Sequence, residues 1–238
     1  FFRAWFYFNL VRKYGDVPLY HSELDMESEE LMRPRDPRTT VVNAILDDLD
    51  KATEYLKTRS EVGNNRLNIE TALAFKSRVA LYEGTWQKYH VGTPFATPGA
   101  NPNHYFSACV DACEKLILGS YYKGIYNTGN PQQDYYTLFG LDDMSDINEV
   151  LLYRAYNISD NVRNDVQYAT TSATNQMGVT WELVSSYLGK NGMPYPYKTV
   201  AKTTKGNDFL LKIAEDVDPR FHASVWVPGD LRWANPEV

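Results

Sequence analysis

The sequence predicts a mostly α-helical protein: stacked helix pairs followed by an irregular, loop-rich part. Three observations carry this. Apolar residues recur at helical spacing in four stretches between residues 1 and 118. Gly and Pro stand where each stretch ends. Beyond residue 119 the helical period lapses while Gly, Pro, Asn and Tyr accumulate.

The first stretch places Phe2, Trp5, Phe6, Asn9, Leu10 and Lys13 at i, i+3, i+4 and i+7, all apolar but Asn9 and Lys13. That stripe is expected to face inward. Gly15 stops this helix and Pro18 prevents its resumption. Arg33-Pro34-Arg35-Asp36-Pro37-Arg38 reads as an extended, charged connector, because residues before Pro avoid the helical region. Thr39 or Thr40 is expected to cap a second helix with the stripe Val42, Ile45, Leu46, Leu49, Ala52 and Leu56. A turn at Gly63-Asn64-Asn65 precedes a third helix, about Asn68 to His90, with Ala72, Phe75, Val79, Tyr82 and Trp86 on one face. A fourth runs from about Asn103 to Leu118, with Phe106, Cys109, Val110, Cys113 and Ile117 inward, and ends at Gly119. Ala72-x-Ala74-x3-Arg78-x-Ala80-x-Tyr82 fits tetratricopeptide-like helix pairs, although the irregular repeat period also allows a plain bundle.

The second half reads differently. Tyr121 to Met144 is expected to be irregular loop and Glu149 to Tyr156 a short strand. Asn157 to Val179 is polar, Trp181 to Leu188 a short helix stopped by Gly189, and Pro194, Pro196, Pro219 and Pro228 break up the remainder.

Composition narrows the function. Of 238 residues 43% are hydrophobic and 23% charged, which is ordinary, but 14% are aromatic, led by 18 Tyr. Tyr offers an apolar ring with a hydrogen-bonding hydroxyl, which suits a wet contact surface. The net charge of −6 and the absence of a basic stripe argue against nucleic acid as a partner and against attraction to an anionic membrane face. No apolar run is long enough to span a bilayer. The chain opens on Phe1-Phe2-Arg3-Ala4-Trp5, already helix interior, and is expected to be a piece of a longer protein, so missing targeting signals carry no information.

No catalytic or cofactor signature emerges. The four histidines, His21, His90, His104 and His222, lack metal-ligand spacing, and no Walker, dinucleotide or Gly-x-Ser-x-Gly segment occurs. No enzyme activity, metal or cofactor is expected. Cys109 and Cys113, at i and i+4, share a helix face and read as two small buried hydrophobes rather than a strained bridge. The oxygen-rich run from Asp142 to Glu149 lacks calcium-loop spacing and reads as a solvated turn. Trp86, Tyr89 and His90 are either a sugar-stacking edge or packing.

Several segments resemble a known family. Arg3 to Leu19, an Arg-Ala-aromatic helix closing on Tyr14-Gly15-Asp16-Val17-Pro18, resembles the opening helix of the SusD/RagB family. Arg38 to Leu56, with Ile45-Leu46-Asp47-Asp48-Leu49-Asp50, resembles its next helix, and Asn65 to Gly84 the third. Glu182 to Pro194 resembles the family's Leu-Val-x-x-Tyr then Gly-x-Pro segment, and Asp218-Pro219-Arg220-Phe221 its Asp-Pro-Arg motif. The resemblance implies a SusD-like fold, with 1–118 as the helical-repeat portion and 119–238 as the irregular portion of one domain. It implies an outer-membrane lipoprotein on the extracellular face, anchored by a lipid outside this sequence. Such proteins bind glycans or related nutrients and act with a SusC-like TonB-dependent transporter. Other classes that fit a helical chain are a protein-interaction scaffold and an α-helical glycoside hydrolase.

The ligand face is expected in the second half. Sugars lay CH-rich faces on aromatic rings and need amides or guanidinium groups for their hydroxyls. Asn157 to Trp181 joins aromatic ends to an amide- and hydroxyl-rich stretch without core periodicity. The expected contacts are Tyr156, Tyr168 and Trp181 for stacking, with Asn157, Arg163 and Asn175 as polar partners. The alternative is that Trp181 packs under its own short helix and Tyr168 is an ordinary loop residue.

Overall fold

The computed structural model describes residues 1–119, 121, 124–166 and 178–230. Among these, helices dominate and no strand forms, so the helical fold class is observed. The helices are α1 (Phe2–Tyr14), α2 (Arg38–Tyr55), α3 (Arg59–Val62), α4 (Ile69–Tyr89), α5 (Pro102–Leu118), α6 (Pro131–Phe139), α7 (Trp181–Ser186), α8 (Tyr197–Thr203), α9 (Gly206–Asp216) and α10 (Arg220–Ser224). Chain contacts gather them into two units. Phe1–Gly124 with Met144–Arg154 forms the first; Ile125–Asp143 with the described residues from Ala155 onward forms the second.

In the first unit α1 packs on α2, α2 on α4, and α4 most extensively on α5. The core is Ala4, Phe8 and Val11 of α1, Val41, Val42, Ile45, Leu46 and Leu49 of α2, Phe75, Val79 and Ala80 of α4, and Tyr105 of α5. Helix α4 starts where Asn68 caps it, its side chain accepting from the Thr71 N–H at 2.8 Å. Gly84 is required for the α4–α5 approach, because a Cβ there would meet Phe106 Cε1 at 2.6 Å.

The faces of α1 and α5 differ from expectation. Phe2 and Phe6 are each 63% exposed, and Trp5 and Leu10 are also exposed, while the opposite residues Ala4, Phe8 and Val11 are buried. Phe1 to Phe8 is apolar nearly all round, so its period selects no face. Small Ala4 permits close approach, and Arg3 chelates Asp48 of α2 through Nε at 2.6 Å and Nη2 at 2.5 Å. On α5 the buried residues are Tyr105 and Ala112, whereas Val110 and Ile117 are exposed. Cys109 and Cys113 are free thiols, each partly buried. The Tyr105 hydroxyl, donating to Asn43 at 3.1 Å, helps set this rotation.

The cap of α2 is also not the expected one. The helix begins at Arg38, and no side chain of its own segment caps it. Asp16, just past Gly15, instead accepts the Arg38 N–H at 2.8 Å. A first-turn donor is thus satisfied from outside the helix. Gly15, at φ 72°, takes the left-handed turn that delivers Asp16 there. The connector is extended as expected, with Asp36 bridged to Val17 and its carboxylate accepting the Leu19 N–H at 2.7 Å.

The expected strand from Glu149 to Tyr156 is absent. Its carbonyls are taken by side chains. Arg59 Nη1 donates to the Asn148 carbonyl at 2.6 Å and the Val150 carbonyl at 3.0 Å, and Asn68 Nδ2 donates to that of Leu151 at 2.9 Å. Asn64 Nδ2 holds the Met144 carbonyl at 2.7 Å, and the Tyr153 N–H donates to the Asn64 carbonyl at 2.9 Å. Backbone groups satisfied in this way need no ladder.

In the second unit the core is Val184, Tyr197, Ile213, Val217, Phe221 and Val227, and α6 packs on α10. Residues expected to be loop, 131–139, form α6, which opens on Pro131 at the position where its missing N–H costs nothing. Asp134 of α6 is buried and accepts the Thr128 N–H at 3.0 Å. Helices α8, α9 and α10 likewise lie in the part read as broken by Pro. The Gly189-to-Pro194 turn and the Asp218-Pro219-Arg220 segment meet. Gly189 is bridged to Val217, the Asp218 N–H donates to the Leu188 carbonyl at 2.9 Å, and the Lys190 N–H donates to the Asp216 carbonyl at 3.0 Å.

Candidate functional site

Trp181 is the first residue of α7, whose cap is Thr180, accepting the Leu183 N–H at 3.2 Å. A capped start fixes the direction in which the indole leaves the helix. The ring is 52% exposed. Its buried part meets Tyr197 edge-on at 5.7 Å between centroids and Phe209 of α9 at 6.1 Å. Tyr195 in turn meets Tyr197 at 4.8 Å. Trp181 is therefore braced from below, not buried under its own helix. With Ser185, Tyr195, Pro196, Lys198 and Thr199 it lines a cavity of about 310 Å³.

The bracing tyrosines spend their hydroxyls on the fold. Tyr197 donates to the Tyr187 carbonyl at 2.9 Å, and Tyr195 to Asp216 Oδ2 at 2.6 Å. Burial pushes both phenols above the usual tyrosine value, and for Tyr195 the Asp216 carboxylate adds to it. Asp216 is held below the usual carboxylate range, first by Lys212 and then by Tyr195. The result is a shelf with one half-exposed indole, fixed aromatic support and a rim of hydroxyl and ammonium groups. Such a surface stacks a flat ligand carrying CH groups and offers donors to its hydroxyls.

Tyr156, Asn157 and Arg163 are brought together by a tight turn and all three are exposed. Asn157 is bridged to Val162, so Tyr156 and Arg163 flank the bridged pair. The Asn157 side chain is engaged within that turn. Its Oδ1 accepts the Ser159 N–H at 2.9 Å and its Nδ2 donates to Asp160 at 2.8 Å. Asn161, at φ 55°, closes the turn. Tyr168 and Asn175 lie outside the described residues. The sequence reading missed Tyr195 and Tyr197. Their signal was Pro194-Tyr195-Pro196-Tyr197, where alternating prolines fix two rings in place.

Trp86 belongs to packing. The Arg38 guanidinium sits 4.4 Å from its ring centroid and His90 stacks on it at 3.9 Å. Among the described residues no group of three or more His, Cys, Asp or Glu side chains is placed to hold a metal ion. No helix there is long and apolar enough to cross a membrane.

Among the described residues both units are built from helices. Residues 1–81 match the family model for SusD-like proteins, described as starch-binding associating with outer membrane. Among solved structures the chain is similar to a SusD-like protein from Bacteroides fragilis NCTC 9343, at 26% identity and a TM-score of 0.62. That match covers 93% of this chain and 40% of the other, so this chain spans well under half the length of its relative. No curated protein matches it. The chain is thus SusD-like in sequence over its first 81 residues, and over nearly its whole length it is similar in fold to a SusD-like protein.

Proposed function

We propose that this chain is part of a cell-surface protein that binds glycans or related nutrients and delivers them to a SusC-like TonB-dependent transporter in the outer membrane. The observation that carries this reading is the SusD-like match, whose family is described as starch-binding and associated with the outer membrane. The protein sits on the extracellular face, held by a lipid anchor outside this sequence. It binds without turnover, because retention needs only stacking faces and hydrogen bonds.

The ligand rests on the Trp181 shelf, and the exposed Tyr156, Asn157 and Arg163 are its further expected contacts. The shelf geometry supports the place of Trp181: the indole is half-exposed and packs against Tyr197 and Phe209. A rigid aromatic binds at low entropic cost, since little freedom remains to be lost. The region 1–118 serves as the partner face of the same SusD-like domain, a broad rigid surface of packed helices.

The test uses the full-length protein. Saturable retention on starch-type or other oligosaccharides, without release of new reducing ends, and copurification with an outer-membrane β-barrel are expected. Release of reducing ends by a hydrolase-free preparation would make it an enzyme. Retention of a protein partner without any glycan would make it a scaffold.

A further inference from the structure

A second concave surface in the second unit shares no lining residue with the Trp181 shelf. It is a cleft of about 410 Å³ among α6, α9 and α10, lined by Gln133, Tyr136, Lys190, His222, Trp226 and Asp230. That volume falls within the roughly 300–1,000 Å³ of small-molecule sites. Two rings stand open in it: Trp226 is 52% exposed and Tyr136 62%. Neither takes part in a ring pair among the described residues, whereas Trp181 leans on two.

The polar heads are set in advance. The Val227-to-Asp230 turn is closed by the Asp230 N–H donating to the Val227 carbonyl at 3.1 Å. The Asp230 carboxylate accepts the Val227 N–H at 2.8 Å through Oδ2 and pairs with His222 Nε2 at 2.8 Å through Oδ1. A backbone donor and an imidazole thus fix the carboxylate's orientation, and the Val227 N–H in particular keeps it ionised. Such an oriented carboxylate accepts a pair of hydroxyl hydrogens. Gln133 and Lys190 add an amide and an ammonium to the lining of the cleft.

We propose that this cleft is a second glycan subsite, taking an uncharged pyranose unit stacked on Trp226 or Tyr136 with its hydroxyls read by Asp230, His222 and Gln133. The neutral class follows from charge. Lys190 and Asp230 offset one another, and a uronate or sulfated sugar would meet the Asp230 carboxylate. The proposal rests on the reading of the protein as a glycan binder, and adds a separate point of contact that lets one long chain be gripped twice.

The experiment is calorimetric titration of the full-length protein with maltoheptaose, followed by a panel of neutral oligosaccharides. The variants are Trp226→Ala, Trp226→Phe, Asp230→Asn and Trp181→Ala. Trp226→Ala and Asp230→Asn are expected to weaken binding by about three- to tenfold each, while Trp226→Phe, which keeps a ring, retains most of it. Unchanged far-ultraviolet dichroism shows that the variants fold. Glycan binding that is unaffected by Trp226→Ala and Asp230→Asn but lost in Trp181→Ala overturns the subsite and leaves the broader reading standing. Absence of binding by the unaltered protein to every neutral oligosaccharide overturns both.

Discussion

Replacing Glu83 with Ala tests how the helical unit is held. Arg38 is 6% exposed and Glu83 1% exposed, and they meet at 2.7 Å between Nε and Oε2. The other Glu83 oxygen accepts from Gln87 Nε2 at 2.8 Å, and Gln87 Oε1 accepts the Asn101 N–H at 2.8 Å. One carboxylate therefore ties α2 to α4 and, through Gln87, to the entry of α5. Truncation leaves a buried guanidinium with the Trp86 ring at 4.4 Å, a 3.5 Å contact to the Val11 carbonyl, and an Nη2 that already has no hydrogen-bond partner. Breaking one side of a buried pair costs about 3–5 kcal/mol, against a total stability of roughly 5–15 kcal/mol for a typical domain. The expected result in urea unfolding, followed by far-ultraviolet dichroism, is a midpoint shift of that size at constant slope. The double replacement Arg38→Met with Glu83→Leu should recover most of the loss, because no charge is then stranded. A Glu83→Ala variant within about 1 kcal/mol of the parent would refute this reasoning.

Three further outcomes are expected. Gly84→Ala should cost about 1–3 kcal/mol by forcing α4 and α5 apart against Phe106, measurable by the same unfolding series. Asn68→Ala should cost about 1–2 kcal/mol, since it removes both the α4 cap and the donor to the Leu151 carbonyl; faster limited proteolysis within 144–154 is its signature. Asp48, Asp216, Asp218 and Asp230 are all held below the usual carboxylate range, chiefly by Arg3, Lys212, Arg220 and the Val227 N–H respectively. Their folded values lie below their unfolded ones, so their stabilisation is complete above the ordinary value and drains as pH falls through the lowered one. Stability should therefore decline as pH falls below the ordinary carboxylate value of about 4, and a flat profile on acidification would contradict these pairings.

What the sequence made legible was periodicity and punctuation. The four long helices of the first unit, though not the one-turn α3, were visible because Gly15, Asn68, Pro102 and Gly119 mark ends and apolar residues repeat between them. The orientation of α1 was not, since Phe1 to Phe8 offers apolar residues on every side and the choice falls to Ala4 and the Arg3–Asp48 pair. The false strand at 149–156 arose because β-branched and aromatic composition says nothing about which side chains, here Arg59, Asn64 and Asn68, reach over to take the carbonyls. In the second unit, α6 opens on Pro131 and α8 follows directly on Pro196, residues that read as loop or breaker but stand at helix starts. Of the expected ligand face, Trp181 was legible as an aromatic beside a polar stretch. Its support was not, because Tyr197 and Phe209 are brought beneath it only by the folding of α8 and α9. The cleft of Tyr136, His222, Trp226 and Asp230 draws on residues almost a hundred positions apart, a pairing that no local pattern announces.

The central claim is that this SusD-like chain holds a glycan against Trp181. Its most direct test is calorimetric titration of the protein and its Trp181→Ala variant with oligosaccharides, beginning with maltoheptaose. The account expects saturable binding by the parent and a loss of about 1–2 kcal/mol, roughly five- to thirtyfold in affinity, in a variant that remains folded. Equal affinity in parent and variant would contradict it.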